Sequence, residues 1–406
     1  MSFPRRLVFA VFLFAAASFP VYAEPPAKGD FQEVWRLVNG RFYDKNFNGA
    51  DWQEAKRHYA PLAASAQSEE ELALTINKML SELKTSHTEY LIPDDMDYFV
   101  LADIFKTGAL KGEVPKFFPN GEIKFTGIGI LTTKINGQTF IRSVITGTPA
   151  EAAGLKSGDR IISVDGAPYR SLRAFSGKTG KSVSVAVQSG RSREEVKTVS
   201  VVPQEMQPGK LLMDAMEKSV KVFDRGGRKI GYIHVWSYAG DQYQDLLERE
   251  IAGGKLKDAD ALVFDLRDGW GGAVPEYLNV FNKKVPLLTL TNRKGETGSL
   301  DSQWRKPVVM LVNGWSRSGK EILAFGFKKY GIGKVIGTRT EGYVMGGRAF
   351  MLSSGNILYL AVDDVRVDGE RLEGKGVEPD INVPAPLEYS HGQDPQLDAA
   401  LGYLSK

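Results

Sequence analysis

A run of apolar residues, Pro307-Val308-Val309-Met310-Leu311-Val312, leads without a break into Asn313-Gly314-Trp315-Ser316-Arg317-Ser318-Gly319-Lys320-Glu321-Ile322. The first part reads as a buried strand. The second opens an amphipathic helix that puts Ile322, Phe325 and Gly326 on one face. A serine at such a junction has two readings. The first helical N–H groups lack intrahelical partners and the helix dipole favours negative charge there, so an alkoxide or an acyl oxyanion would be stabilised. Alternatively, Ser316 or Ser318 simply caps the helix.

The surroundings repeat the strand–helix plan. Ile230 to Trp236 reads as a strand and Asp241 to Ile251 as a helix, and Ala261 to Leu266 is a nearly all-apolar strand suited to a central position. That strand runs into Arg267-Asp268-Gly269-Trp270-Gly271-Gly272, where three glycines allow backbone N–H groups to face a ligand closely. Pro275 to Phe281 reads as a helix and Lys334 to Gly337 as a further strand. A hairpin-like pair around Ser354-Gly355-Asn356 and a final helix from Pro395 to Leu404 complete an α/β half. His234 alternates with Tyr232 and Trp236 and reads as a packed core histidine, while Asp265 and Arg267 read as structural partners at the turn.

The amino-terminal half is different. Asp30 before Glu33, Asp51 before Glu54 and Ser68 before Glu71 have capping-box spacing and head three amphipathic helices over residues 30–85. The periodicity stops at Lys84-Thr85-Ser86-His87-Thr88, which leaves His87 on a loop or helix end beside a serine. Asp103 to Gly121 reads as a loop in its second half. Short strands and turns follow from Phe125 to Val202, with a closing hairpin around Gly190 and a linker over 203–209.

Composition narrows the chemistry. The chain of 406 residues has no cysteine, which excludes disulfides and thiol catalysis, and its four histidines, His58, His87, His234 and His391, show no metal-ligand spacing. Neither a metal nor another cofactor is expected. The net charge is +3, with Arg5 and Arg6 supplying two of those charges, so nothing proposes nucleic acid as a partner. Arg5-Arg6, the apolar run Leu7 to Phe19 and Val21-Tyr22-Ala23 read as a cleavable leader over residues 1–23, implying a periplasmic or secreted protein with no membrane span after cleavage.

Two stretches carry a resemblance. Gly127-Ile128-Gly129-Ile130, followed by Thr148-Pro149-Ala150-Glu151-Ala152-Ala153-Gly154-Leu155 and Ser157-Gly158-Asp159, is similar to bacterial PDZ domains. Gly127, Ile128, Gly129 and Ile130 would then receive a polypeptide tail, with backbone amides on its carboxylate and a strand edge beside it. The order helical region, PDZ, Asp-Leu-Arg with Gly271-Gly272, Ser318-Gly319-Lys320-Glu321-Ile322 and Gly376-Val377-Glu378-Pro379-Asp380 resembles the C-terminal-processing (tail-specific) serine peptidases and the catalytic half of the tricorn protease.

That resemblance implies a crotonase/Clp-protease-like ββα core over 205–406, a helical domain over 24–104, and a PDZ domain with its preceding loop over 105–204. It implies Ser318 as nucleophile, with oxyanion donors from Gly319, Gly271 and Gly272. The processing enzymes use a lysine that this chain lacks, since the matching place is Gly342-Tyr343-Val344. The tricorn-like branch uses a serine–histidine pair and a glutamate, matched by Ser86, His87 and Glu373. On that reading His87 takes the Ser318 proton while Ser86 and Glu373 orient it. The missing lysine, together with Arg317, Gly319 and Lys320 around the serine, leaves open a non-catalytic binder of peptides or small apolar ligands. A crotonase-type acyl-CoA enzyme fits poorly with a PDZ domain and a secretory leader.

Overall fold

The apolar runs Ala261–Asp265 and Val308–Val312 lie side by side at the centre of one six-stranded sheet, in the order Lys221–Arg225, Arg228–His234, Ala261–Asp265, Val308–Val312, Lys334–Gly337 and Ile381–Asn382. The first pair is antiparallel and the rest are parallel. Alternate residues serve opposite faces. Ala261, Val263, Val309 and Leu311 pack with Ala400, Leu401 and Leu404 of helix Pro395–Leu404. Leu262, Phe264, Met310 and Val312 join a cluster with Leu246 and Leu247 of helix Asp241–Ala252 and Leu323, Ala324 and Phe327 of helix Gly319–Lys329. Burial of a side chain of that size contributes about 1.5–3 kcal/mol, so both faces hold the sheet firmly. The register sets Asp265 opposite Leu311 and aligns the ends of these two strands.

The structure, a computed structural model, describes residues 27–406, so the leader over 1–23 lies outside the described residues. Among those residues no helix is long and apolar enough to cross a membrane. The three amino-terminal helices are Gly29–Arg41, Trp52–Ser65 and Glu69–Ser81. Asp51 and Ser68 cap theirs as expected, by accepting from the N–H groups of Glu54 and Glu71. Asp30 does not. Its helix begins earlier, and its buried carboxylate instead accepts from the Tyr90 hydroxyl at 2.8 Å and Asn356 Nδ2 at 3.0 Å.

That contact joins the helices to a three-stranded antiparallel sheet of Glu89–Leu91, Ile357–Asp364 and Met345–Met351. The loop carrying Ser86 and His87 immediately precedes the first of these strands and is fixed by it.

Two helices emerge where none was expected. Met96–Phe105 is capped by Asp95, and Pro208–Ser219 starts inside the expected linker, after strand Gln204–Met206 pairs with Phe125–Gly127. The segment expected as a loop contains the helical turn Val114–Phe117, and buries Leu110, Val114 and Phe118 in the cluster of the large sheet. The PDZ-like part has its own apolar cluster, from Ile128 to Val201, inside the sheet Ile130–Ile135, Gln138–Val144, Arg160–Val164, Val183–Gln188 and Val196–Val201. The last two of these strands form the hairpin expected around Gly190.

Candidate active site

Ser318 stands where strand Val308–Val312 has ended and helix Gly319–Lys329 begins, with φ 58° and ψ −127°. Positive φ in a residue other than glycine is strained and persists only where neighbours impose it. Here they do. The Ser318 N–H donates to the Tyr343 carbonyl at 2.8 Å and to Glu321 Oε2 at 3.1 Å. Glu321 is fully buried and also accepts from Thr340 Oγ1, the Gly342 N–H and the Tyr343 N–H. The side chain of Ser318 therefore leaves the helix uncapped, because Glu321 N–H donates to the Ser318 carbonyl instead. Its hydroxyl is turned towards His87.

His87 Nε2 lies 3.3 Å from Ser318 Oγ, although 231 residues separate the two. The other ring nitrogen, Nδ1, is 2.8 Å from Ser86 Oγ, which in turn lies 2.8 Å from Glu373 Oε2. The carboxylate can only accept, so the Ser86 hydroxyl donates to it and accepts from His87 Nδ1–H. This fixes the tautomer and leaves the Nε2 lone pair facing Ser318. Glu373 further accepts from the N–H groups of Ser86 and Val344, both at 2.7 Å, and from Thr85 Oγ1 at 3.2 Å. Burial, reinforced by the Arg317 guanidinium, pushes the His87 pKa down to about 3. The imidazole is thus neutral, as a proton acceptor must be, throughout the neutral range.

Ser318 and His87 open onto a cavity of about 280 Å³ that also includes Gly271, Gly272, Trp270, Leu101, Tyr343 and Tyr359 in its wall. The glycine turn presses on the serine so closely that a Cβ on Gly271 would come 2.6 Å from Ser318 Cβ, and one on Gly319 would come 2.2 Å from the Ala273 nitrogen. Only glycine fits at these two places. Among the described residues, no protein acceptor takes the N–H of Gly271, Gly272 or Gly319. Free donors on two sides of a half-buried serine form a place that can receive an oxyanion. No group of three or more metal-ligating side chains occurs among the described residues.

Other residues take roles that the sequence left unresolved. Ser316 caps nothing: its hydroxyl donates to the Leu266 carbonyl and accepts from the Asn313 N–H, bracing two strand ends. Tyr343, at the place of the family lysine, contributes its backbone to Ser318, and burial raises its phenol pKa further from a base's range. His234 stacks on Trp236 at 4.0 Å and contacts the Arg267 carbonyl at 2.8 Å, as a packed core histidine should. Burial alone would raise the Asp265 carboxyl, but Arg267 holds it well below the usual range while also gripping Asp394. Glu321 was legible only as a marker of the motif, because its partners sit twenty residues further on.

In the PDZ-like part, Ile128, Gly129 and Ile130 line a narrow groove of about 90 Å³ with Arg142 and Phe175. Gly129 has φ 83°, and a Cβ there would strike Thr148. Gly127 is not in the groove: it pairs with Gln204 in a strand and faces Phe125 and Leu172. Strand Ile130–Ile135 is at the sheet's end, so among the described strands its outer edge is unpaired.

The family models match in the same order as these parts. Residues 26–81 match the tricorn protease C1 domain, 140–188 a PDZ domain and 229–383 peptidase family S41. A carboxyl-terminal-processing protease of Synechocystis sp. is 26% identical over 92% of this chain and 86% of its own length. Tricorn protease homolog 1 of Streptomyces coelicolor is 25% identical over 91% of this chain, which spans only 34% of that larger protein. Among solved structures, the photosystem II D1 C-terminal processing protease superposes with a TM-score of 0.52 at 23% identity, covering 91% of this chain and 98% of that one. The tricorn protease superposes with a TM-score of 0.53 at 19% identity, covering 93% and 36%. These two likenesses bear on the fold alone. The relatives give no support to a non-catalytic binder. The S41 match over residues 229–383, with the tricorn C1 and PDZ matches ahead of it and relatives named carboxyl-terminal-processing protease, indicates a serine peptidase that carries a PDZ domain.

Proposed function

We propose that the protein cleaves polypeptides through an acyl-enzyme at Ser318, with His87 as general base and Ser86 and Glu373 as its orienting groups. The observation that carries this reading is the unbroken chain Ser318 Oγ, His87 Nε2, His87 Nδ1, Ser86 Oγ, Glu373 Oε2. His87 takes the hydroxyl proton as Ser318 Oγ attacks the scissile carbonyl. The imidazolium then keeps its Nδ1–H bond to Ser86, which the carboxylate polarises. The carbonyl oxygen becomes negative and is received by N–H groups of Gly319 and of the Gly271-Gly272 turn. His87 returns the proton to the leaving amine, and water releases the acyl group by the same steps in reverse order.

The groove at Ile128, Gly129 and Ile130 takes the polypeptide's carboxyl-terminal tail as an added strand. The leader over residues 1–23 supports a periplasmic or secreted setting. An unfolded protein and a peptide with an apolar tail serve as test substrates. Wild type is expected to cleave both, whereas Ser318→Ala and His87→Ala each lose on the order of 10⁶-fold in kcat, with the double variant no worse than either. Equal cleavage by wild type and Ser318→Ala would remove Ser318 from the reaction.

A further inference from the structure

Two cations flank Ser318 in sequence, Arg317 and Lys320, and neither side chain is directed to the nucleophile. Lys320 is fully buried, and its Nζ donates to the Asp268 carbonyl at 2.6 Å and lies 3.4 Å from the Trp236 carbonyl. Arg317 Nε donates to the next carbonyl along, that of Gly269, at 3.1 Å, and its Nη2 reaches Asp97 at 3.1 Å. The Trp236 carbonyl is also the acceptor for the Trp270 N–H. All these bonds converge on one short turn.

That turn has a reason to need them. Asp268 and Gly269 are both left-handed, with φ 54° and 72°, and among the described residues no backbone N–H reaches either carbonyl. A buried carbonyl left unpaired is costly. The position of Lys320 is itself unfavourable, since an ammonium in the first turn of a helix opposes the dipole and its burial strips it of water. A cation kept there against both costs matches the demand of the turn rather than that of the helix. The turn leads into Gly271, which packs against Ser318, and Gly272, which lines the same cavity.

We propose that Lys320, assisted by Arg317, is a positioning residue for the reaction: Lys320 pins the Asp268 carbonyl and Arg317 that of Gly269, so that the Gly271 and Gly272 N–H groups are held fixed beside Ser318. This rests on the reading of Ser318 as nucleophile. It assigns a role to the two residues whose presence beside the serine had suggested lost chemistry. Donors aimed at a developing charge are effective only when they need no reorganisation, and Lys320 supplies that rigidity from behind.

The charge state of Lys320 provides an independent readout. Burial lowers its pKa to about 7, opposed by the carboxylates of Asp268 and Asp265 and aided by Arg317 and Arg142. His234, buried on the neighbouring strand, is a further titratable group coupled to it. The ammonium is complete below that pH and is lost as pH rises through it.

The test measures kcat, KM and melting temperature of the full chain on an internally quenched apolar-tailed peptide, from about pH 5 to 9, the span over which such a limb is read. Lys320→Met is expected to lower kcat about 100-fold with KM nearly unchanged, and to abolish the alkaline limb near neutrality. Lys320→Arg keeps a permanent cation, so it should recover part of kcat and move the limb out of range. A wild-type kcat in Lys320→Met overturns the proposal. So does a loss that follows the melting temperature and is not recovered in Lys320→Arg. Failure of the underlying peptidase reading is distinct, because wild type would then cleave no better than Ser318→Ala.

Discussion

The two halves of the active site are built on different principles. The nucleophile half is contiguous: one buried strand, one strained turn and one helix deliver Ser318, and a glycine turn from the adjacent strand backs it. The base half is assembled from three distant pieces, the loop at 85–87, the backbone at Val344 and the side chain of Glu373. The first half is positioned by the sheet, whose burial on both faces leaves little freedom. The second is positioned by a single carboxylate that collects four donors. Damage should therefore spread differently through each half, with the sheet absorbing local changes and the carboxylate having no substitute.

Glu373→Gln gives the sharpest contrast. The amide can present an N–H to Ser86 Oγ, which would turn the Ser86 proton towards His87 Nδ1 and move the imidazole proton to Nε2. The wrong tautomer would then face Ser318. A loss on the order of 10⁴-fold in kcat is the expected result, as when an orienting carboxylate becomes its amide, with a lowered melting temperature because the new NH2 faces a backbone N–H in either orientation. Ser86→Ala should lose less, because the other Glu373 contacts survive. A larger loss in Ser86→Ala than in Glu373→Gln would contradict the carboxylate's central place.

The PDZ groove should behave as a third, separable region. Gly129→Val forces a branched side chain into positive φ against Thr148. It is expected to raise KM for tailed substrates while sparing kcat for a short peptide that does not reach the groove. A matching fall in kcat on both substrates would show that the groove and the cleft cannot be separated.

A smaller effect concerns stability. The folded state holds His87 with a lowered pKa, about 3, and lowers that of His234 as well. The unfolded chain therefore binds protons more readily below about pH 6.5, and stability should decline as pH falls from there towards 3. His87→Gln should flatten part of that decline in melting temperature. An unchanged slope would mean that His87 is not buried as a neutral imidazole.

Much of this was legible in the sequence, for identifiable reasons. Strands buried on both faces announce themselves as unbroken apolar runs, so the strand read from Pro307 to Val312 was found at Val308–Val312, and the shorter Lys334–Gly337 was also found where expected. Helix Pro395–Leu404 was read equally well from its proline start and spacing. Helix Met96–Phe105 was missed because it is apolar around most of its circumference and shows little periodicity. Asp30 was read as a cap because spacing cannot reveal that Tyr90 and Asn356 would claim its carboxylate.

The site divides in the same way. Ser318 and the glycines sit in local patterns with a physical meaning of their own. His87, Ser86 and Glu373 have none, and only the resemblance brought them together. Lys320 and Arg317 stayed unexplained because their acceptors are backbone carbonyls about fifty residues away, which leave no trace in residue types.

The central claim is that His87 activates Ser318. Intact-mass measurement of the protein treated with a fluorophosphonate tests it directly, comparing wild type with Ser318→Ala and His87→Ala. The expected result is one adduct located on Ser318 in wild type, none in Ser318→Ala, and labelling slowed by about 10²-fold or more in His87→Ala. Labelling of His87→Ala at the wild-type rate, or an adduct on another residue, would contradict the account.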